Sequence, residues 1–318
     1  MSLLLEGRFM AMIDLDKMLE KIKSSEWALA DIDWHAPGAD LITPAQWPKL
    51  KTFMADLMWI EHVGARGFAA MAKSAPTATL REIYTYFHAE EQRHANAEMA
   101  LMQRWGMLES DGSLPEPSAN LRLVIAWLDK YADKMPFYVL GAVIPMLEIA
   151  LDGALCKFLL DTVDDPVCHA AFDKINADES RHLGVGFTVM EMQGINKNFI
   201  GLAKMLLPLV DPRLLLGIVV YLPLLNKMRD NIVTLGLSEK SLYEVMKKFG
   251  TIGGRTPEGR RNPWFRLIYG HSLVVMNRSK RYYHAPVDFF VRLVDRIPKS
   301  WLPTVPSWVF ELTWKTKD

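Results

Sequence analysis

The chain has 318 residues, 50% of them hydrophobic, enough to bury a large core and more than a single helical bundle requires. Its 37 basic and 37 acidic residues cancel, so no overall field points to nucleic acid. The two cysteines, Cys156 and Cys168, form no C-x-x-C pair; this fits a reducing cytosol and excludes a rubredoxin-like electron-transfer centre within the chain.

Met1 to Gly7 holds only a three-leucine run, too short for the core of a signal peptide, and residues 1–43 read as an N-terminal segment. Thr43-Pro44-Ala45-Gln46 is a capping box that opens a helix predicted to run to about Lys73. Ser74-Ala75-Pro76-Thr77 is a turn, and Thr79-Leu80-Arg81-Glu82 a second capping box, whose helix stops at Gly106. A polar loop from Ser110 to Ser118 leads to a shorter helix, about Ala119 to Lys134. A third long helix is predicted from about Phe137 to Thr162, with Pro145 kinking it, and a fourth from Asp165-Pro166 to near Gly194. The pattern predicts an all-α chain: a four-helix bundle with a long crossover over residues 44–194, then a helical C-terminal extension over 195–318.

In the extension, Leu214 to Leu225 is strongly apolar but too short to span a bilayer. Lys247 to Arg281 carries nine Lys or Arg against one acid, Glu258, with Trp264, Phe265 and Tyr269 among them. Such a run is ordinarily a solvated face. The sharper reading is a dock for an acidic carrier protein, a phosphate-bearing substrate or an anionic membrane surface. The expected location is the cytoplasm, with peripheral membrane contact compatible with it.

The chemistry lies in two matched halves. Glu61 is followed by Glu91-Gln-Arg-His94, and Glu148 by Glu179-Ser-Arg-His182. The lone Glu precedes its Glu-x-x-His by 30 residues in the first half, from 61 to 91, and by 31 in the second, from 148 to 179. In a helical hairpin these groups lie level only if the turn falls midway: at Pro76 in the first half, and between Val163 and Asp164, just before Asp165-Pro166, in the second. Each Glu is then roughly 20 Å from its turn, at 1.5 Å per residue. A lone Glu-x-x-His is usually a surface pair one helical turn apart. Two of them, each with its Glu at the height a hairpin demands, make a ligand set for two metal ions: Glu61, Glu91, His94, Glu148, Glu179 and His182. Four carboxylates balance two divalent ions, and an oxygen-rich, nitrogen-assisted set suits Fe, with Mn as the alternative, better than Zn.

Glu90 and Asp178 each precede the Glu of a tetrad. A carboxylate there can accept the free ring N–H of the opposite histidine, or pair locally with Arg93 and Arg181. His88, Glu98 and Asp152 share the metal-facing stripe as candidate extra ligands or proton relays. Gly64, Ala65, Phe68, Tyr84, Phe87 and Ile144 fall at helical spacings from the ligands and are the candidate walls of a small apolar substrate cavity.

The motifs AEEQRH (89–94) and ADESRH (177–182) resemble the paired metal motifs of soluble acyl-carrier-protein desaturases, and more widely the ferritin-like superfamily that includes the ribonucleotide reductase small subunit. The resemblance covers roughly residues 44–194. It implies a ferritin-like di-iron bundle in which the six residues bind the metals, Glu91 and Glu179 bridge them, and Asp178 supports a histidine. Where the reductase subunits carry their radical tyrosine, one turn past the first histidine, this chain has Glu98, which argues against a stable tyrosyl radical.

The leading expectation is an O₂-dependent di-iron oxidoreductase of the oxygenase, hydroxylase or desaturase type, acting on an apolar small molecule, acyl or lipid-like in character. The alternative is an iron-oxidising, ferritin-like protein without an organic substrate. The expected partners are the apolar substrate and O₂, an external electron donor of the ferredoxin type, the acidic carrier or anionic membrane named above, and a second copy of the chain as a homodimer.

Overall fold

The computed structural model describes residues 13–109, 115–141, 143–144, 159, 163–192, 203, 206–236 and 238–305. Among these there is no strand. Ten helices are described: α1 (Leu15–Ser24), α2 (Trp47–Ser74), α3 (Ala78–Arg104), α4 (Ala119–Tyr131), α5 (Pro166–Met192), α6 (Pro212–Leu235), α7 (Glu239–Gly253), α8 (Pro257–Arg261), α9 (Pro263–Val275) and α10 (Arg281–Val294). Residues 137–141 and 143–144 are also helical. The predicted third helix beyond Ile144 lies outside the described residues, and with it Glu148 and Asp152.

Both hairpin partners of the first half start and stop by local chemistry. Thr43 and Gln46 form the reciprocal pair, Thr43 N–H donating to Gln46 Oε1 at 3.0 Å and Gln46 N–H to Thr43 Oγ1 at 3.3 Å, and regular helix begins at Trp47. The second cap differs from the sequence expectation. Thr77, not Thr79, accepts from Leu80 N–H at 3.2 Å, so α3 begins at Ala78, while the Thr79 hydroxyl bonds Asp16 of α1. At the far end Gly106 takes φ +65°, and Met107 N–H reaches back to Met102 O at 2.8 Å. That closure needs a residue tolerant of the left-handed region, which is why the helix stops there.

The register between α3 and α5 is set by a buried ion pair. Asp165 caps α5 by accepting from Val167 N–H at 3.0 Å. It also accepts from Arg104 at 2.8 and 3.1 Å and from the Trp105 indole at 2.8 Å, at the end of α3. The helices therefore run antiparallel, pinned where one ends and the other begins. Glu91 lies 13 residues before Arg104 and Glu179 13 residues after Pro166, so both stand at one depth, roughly 20 Å from the pin at 1.5 Å per residue. Asp165 is fully buried. Asp165→Ala strands a buried guanidinium and is expected to destabilise the fold by about 3–5 kcal/mol, measured as a shift in the urea midpoint.

The extension packs on the bundle. One hydrophobic cluster joins Leu57, Met102, Val124 and Phe172 to Leu225, Leu242 and Phe265. The Trp127 indole of α4 donates to Arg213 O of α6 at 2.7 Å, and Gly217 admits the ring: a Cβ there would stand 2.5 Å from it. Buried Arg229 clamps three helices, donating from α6 to Val275 O at 2.8 Å and to His284 Nδ1 of α10 at 3.0 Å.

Candidate metal centre

Glu61, Glu91, His94 and Glu179 converge between α2, α3 and α5, with one ligand atom from each lying within 4.8 Å of all the others. His182 completes the described set, its Nδ1 standing 3.1 Å from Glu91 Oε1 and 3.4 Å from Glu179 Oε1. His94 Nδ1 lies 3.2 Å from Glu179 Oε1 and 3.5 Å from Glu61 Oε2. All five side chains are buried. Glu179 thus lies between the two imidazoles, while Glu91 stands beside His182 and Glu61 beside His94. Gly64 makes this possible for Glu91: a Cβ at that position would sit 2.2 Å from Glu91 Oε2.

The outer nitrogens are held crosswise. His94 of α3 donates Nε2–H to Asp178 Oδ2 of α5 at 3.0 Å, and His182 of α5 donates Nε2–H to Glu90 Oε2 of α3 at 2.8 Å. Ionised carboxylates only accept, so Nε2 carries a proton and each Nδ1 turns inward. Buried Arg181 ties the two carboxylates together, donating to Glu90 Oε1 at 3.0 Å and to Asp178 Oδ1. The local pairing and the cross-helix role expected of these acids therefore coexist. The Trp27 indole adds a second donor to Asp178 Oδ2 at 2.8 Å and stacks near His94, its ring capped by the Arg93 guanidinium. Nothing in the sequence around Trp27 signals this role. Asp178→Ala is expected to weaken metal affinity about 10–100-fold, read by competitive chelation, because the imidazole loses its orientation.

This arrangement fits metal ions. Among the described residues, Glu91 Oε1, both Glu179 oxygens and the Nδ1 atoms of His94 and His182 are buried without a hydrogen bond. Glu98 is also fully buried, with both oxygens unbonded among the described residues. Crowding acids out of water is costly unless cations compensate. Burial, then the charges of Glu61 and Glu179, push the Glu91 carboxyl well above its usual range; burial and Glu61 do the same to Glu98. Burial also opposes ionisation of Glu179, but the two histidines hold it down to about 2. Burial alone would lower both histidines, yet the surrounding carboxylates raise them well above the ordinary value. Those raised groups hold protons that a metal must displace. Metal loading is therefore expected to release protons, and affinity to fall as pH is lowered, measurable by titration in weakly buffered solution.

Of the remaining candidates, His88 turns away from the cluster: its Nδ1–H donates to Ala65 O at 2.8 Å, which spends that ring nitrogen on α2 backbone. The cavity differs from expectation more widely. An apolar cavity of about 310 Å³ reaches the centre at Glu61 and Glu91. Gly64 and Ile144 line it, but Ala65, Phe68, Tyr84 and Phe87 do not. Phe68 and Phe87 pack on the His182 ring instead, at 5.0 and 4.1 Å between centroids, and Tyr84 packs on both phenyl rings. Phe68 and Phe87 thus face α5, while Tyr84 also packs on Phe137. The rest of the described wall comes from α2, from the segment 135–144 and from α4, α6 and α9, including Val139, Trp127, Leu214, Ile218, Tyr221 and Ile268. Residues of the extension thus complete a chamber that opens on the metal ligands.

No protein-family model matches the chain, and no curated protein matches it. Among solved structures it is similar to an R2-like ligand-binding oxidase, a G68F mutant with an anaerobically reconstituted Mn/Fe cofactor. The two are 16% identical, with a TM-score of 0.48 over 84% of this chain and 97% of that one. What identifies the centre in this chain is its own set of carboxylates and imidazoles.

Proposed function

We propose that the chain is a di-metal, O₂-dependent oxidase or oxygenase acting on a small apolar molecule. The observation that carries this reading is the junction of two features: a buried carboxylate–imidazole cluster, and an apolar cavity whose inner end is formed by two of its ligands, Glu61 and Glu91. Glu61, Glu91, His94, Glu179 and His182 would hold the ions, together with Glu148, whose position is not described. Two bound iron or manganese ions would supply the electron transfer to O₂ that these side chains cannot provide.

The chain's own groups prepare that chemistry. Asp178 and Glu90 fix the histidine tautomers, and Arg181 balances their charge, so the imidazoles need no reorientation when metal enters. The cavity wall of leucine, isoleucine, valine and tryptophan excludes water and presents an apolar C–H bond to the Glu61 and Glu91 face. Electrons would come from a separate donor of the ferredoxin type, since the chain's two cysteines build no redox centre and the described one, Cys168, is buried and free.

The test is to load metal-free protein with Fe(II) anaerobically, admit O₂ with a chemical reductant, and screen added lipid extracts for mass-shifted products. Substrate-dependent O₂ uptake with a new product supports the reading. Uptake that ignores every organic additive, accompanied by iron accumulating in a large particle, would establish the iron-oxidising alternative instead.

A further inference from the structure

Helices α6 and α10 each carry exposed apolar side chains. They are bound side by side, the Asn226 amide donating to Asp288 Oδ1 at 2.9 Å. α10 buries His284 and Val287 against the fold and turns Phe289, Phe290 and Leu293 outward, with Phe289 57% exposed. On α6, Leu215, Leu216 and Val219 are likewise exposed, and the turn leading into it shows Val210, 70% exposed. Large apolar side chains gathered in this way mark a surface that meets something other than water.

The charges around the face indicate what it meets. The acids of this region are already engaged, Asp288 with Arg278 and Asp295 with Lys227 at 3.6 Å. Arg281, Arg292 and Arg296 are exposed and form no ion pair among the described residues. The free charge beside the apolar stripe is therefore positive. The cavity also opens here. Ile218 and Leu222 of α6 and Leu267 of α9 line it and are themselves partly exposed, and Ile218 directly precedes the outward Val219.

We infer that this face docks on an anionic lipid bilayer and that the cavity takes its apolar substrate directly from the lipid. Aromatic and aliphatic side chains enter the boundary between headgroups and acyl chains, while the arginines meet anionic headgroups. No helix among the described residues is long and apolar enough to cross a membrane, so the contact is interfacial. A cavity mouth beside the stripe favours a bilayer over a protein partner, because a bilayer is where an apolar molecule accumulates. The uptake route rests on the proposed function; the docking itself does not.

The experiment is co-sedimentation of the full chain with phosphatidylcholine vesicles, with and without phosphatidylglycerol, at low and high salt. Wild type should bind the anionic vesicles at low salt and release as salt screens the arginines. Combining Val219→Ser, Phe289→Ser and Phe290→Ser should lower binding about ten-fold or more, since three large apolar groups no longer leave water. Arg292→Gln with Arg296→Gln should abolish the preference for anionic over neutral vesicles. Helix content and metal stoichiometry should stay at wild-type levels in both. Wild type that binds neither vesicle, or a serine variant that binds as well as wild type, overturns the inference. So does a wild-type dimer that the serine variant converts to monomer without any vesicle binding, which would make the face a self-association surface. No turnover enters the measurement, so its failure leaves the metal-centre reading standing.

Discussion

Gly64→Ala is expected to deprive the centre of its metal while leaving the chain folded. The added Cβ would stand 2.2 Å from Glu91 Oε2 and 2.9 Å from its Cδ, closer than real atoms approach, so the carboxylate must swing out of the site. Alanine is a better helix former than glycine by about 1 kcal/mol, and overpacking typically costs about 1–3 kcal/mol, so the net change in stability of metal-free protein should be small. The loss falls on a ligand that faces His182 Nδ1 at 3.1 Å, and we expect metal affinity to drop by at least about 100-fold, the upper range for a displaced supporting group. Gly67→Ala is the control. There, among the described residues, a Cβ meets Ile144 alone, Cδ1 at 2.8 Å and Cγ1 at 3.3 Å, the end of a side chain that can turn aside, and metal binding should persist. Competitive chelation on the two variants separates the outcomes, and equal affinity would show that Glu91 is not held where the structure puts it.

Glu179→Ala should cost more still. Its Oε1 faces His94 Nδ1 at 3.2 Å and His182 Nδ1 at 3.4 Å, so one truncation removes a ligand that both ions would share. Metal content should fall from about two ions to fewer than about one per chain, and O₂ uptake to the buffer background. Glu179→Gln keeps the shape but not the charge, and should recover little of either. Helix content should be unchanged in both variants, because the fold is pinned elsewhere, at Asp165 with Arg104 and Trp105. A Glu179→Ala protein that retained its full metal complement would rule out the bridging position.

That Glu61, Glu91, His94, Glu179 and His182 converge was legible because it is a register problem. A turn at Pro76 and a cap at Asp165 fix the level of Glu61, Glu91 and Glu179 from sequence alone, and the acids at 90 and 178 follow as neighbours across the α3–α5 seam. The cavity was not legible in the same way. Helical spacing says that Phe68, Tyr84 and Phe87 point inward, but not toward which neighbour; Phe68 and Phe87 face the His182 ring of α5, and Tyr84 packs on them and on Phe137. The true walls, Trp127, Leu214 and Ile268, come from helices with no motif linking them to the site, and only tertiary packing brings them there. Trp27 is hidden for a related reason: its partner Asp178 is 151 residues away in the chain.

The cap of α3 shows a smaller failure with a clear cause. Thr77 and Thr79 both suit a helix start, and the choice is made by Asp16 of α1, which takes the Thr79 hydroxyl at 2.8 Å. The basic stretch from 247 to 281 was likewise read without its acids. Arg255 faces Glu191 of α5 at 3.4 Å and Arg278 faces Asp230 of α6 at 3.1 Å, while Trp264 and Phe265 are buried in the fold. Part of that charge is therefore spent internally, and the acids that neutralise it lie outside the stretch.

The central claim is a two-metal centre built by this chain. Its most direct test is anaerobic titration of metal-free protein with Fe(II), followed by elemental analysis after removal of unbound metal. The account predicts about two tightly held ions per chain, reduced by Glu179→Ala and likewise by Glu91→Ala. A chain that binds one ion or none, or that keeps two after losing either carboxylate, would contradict it.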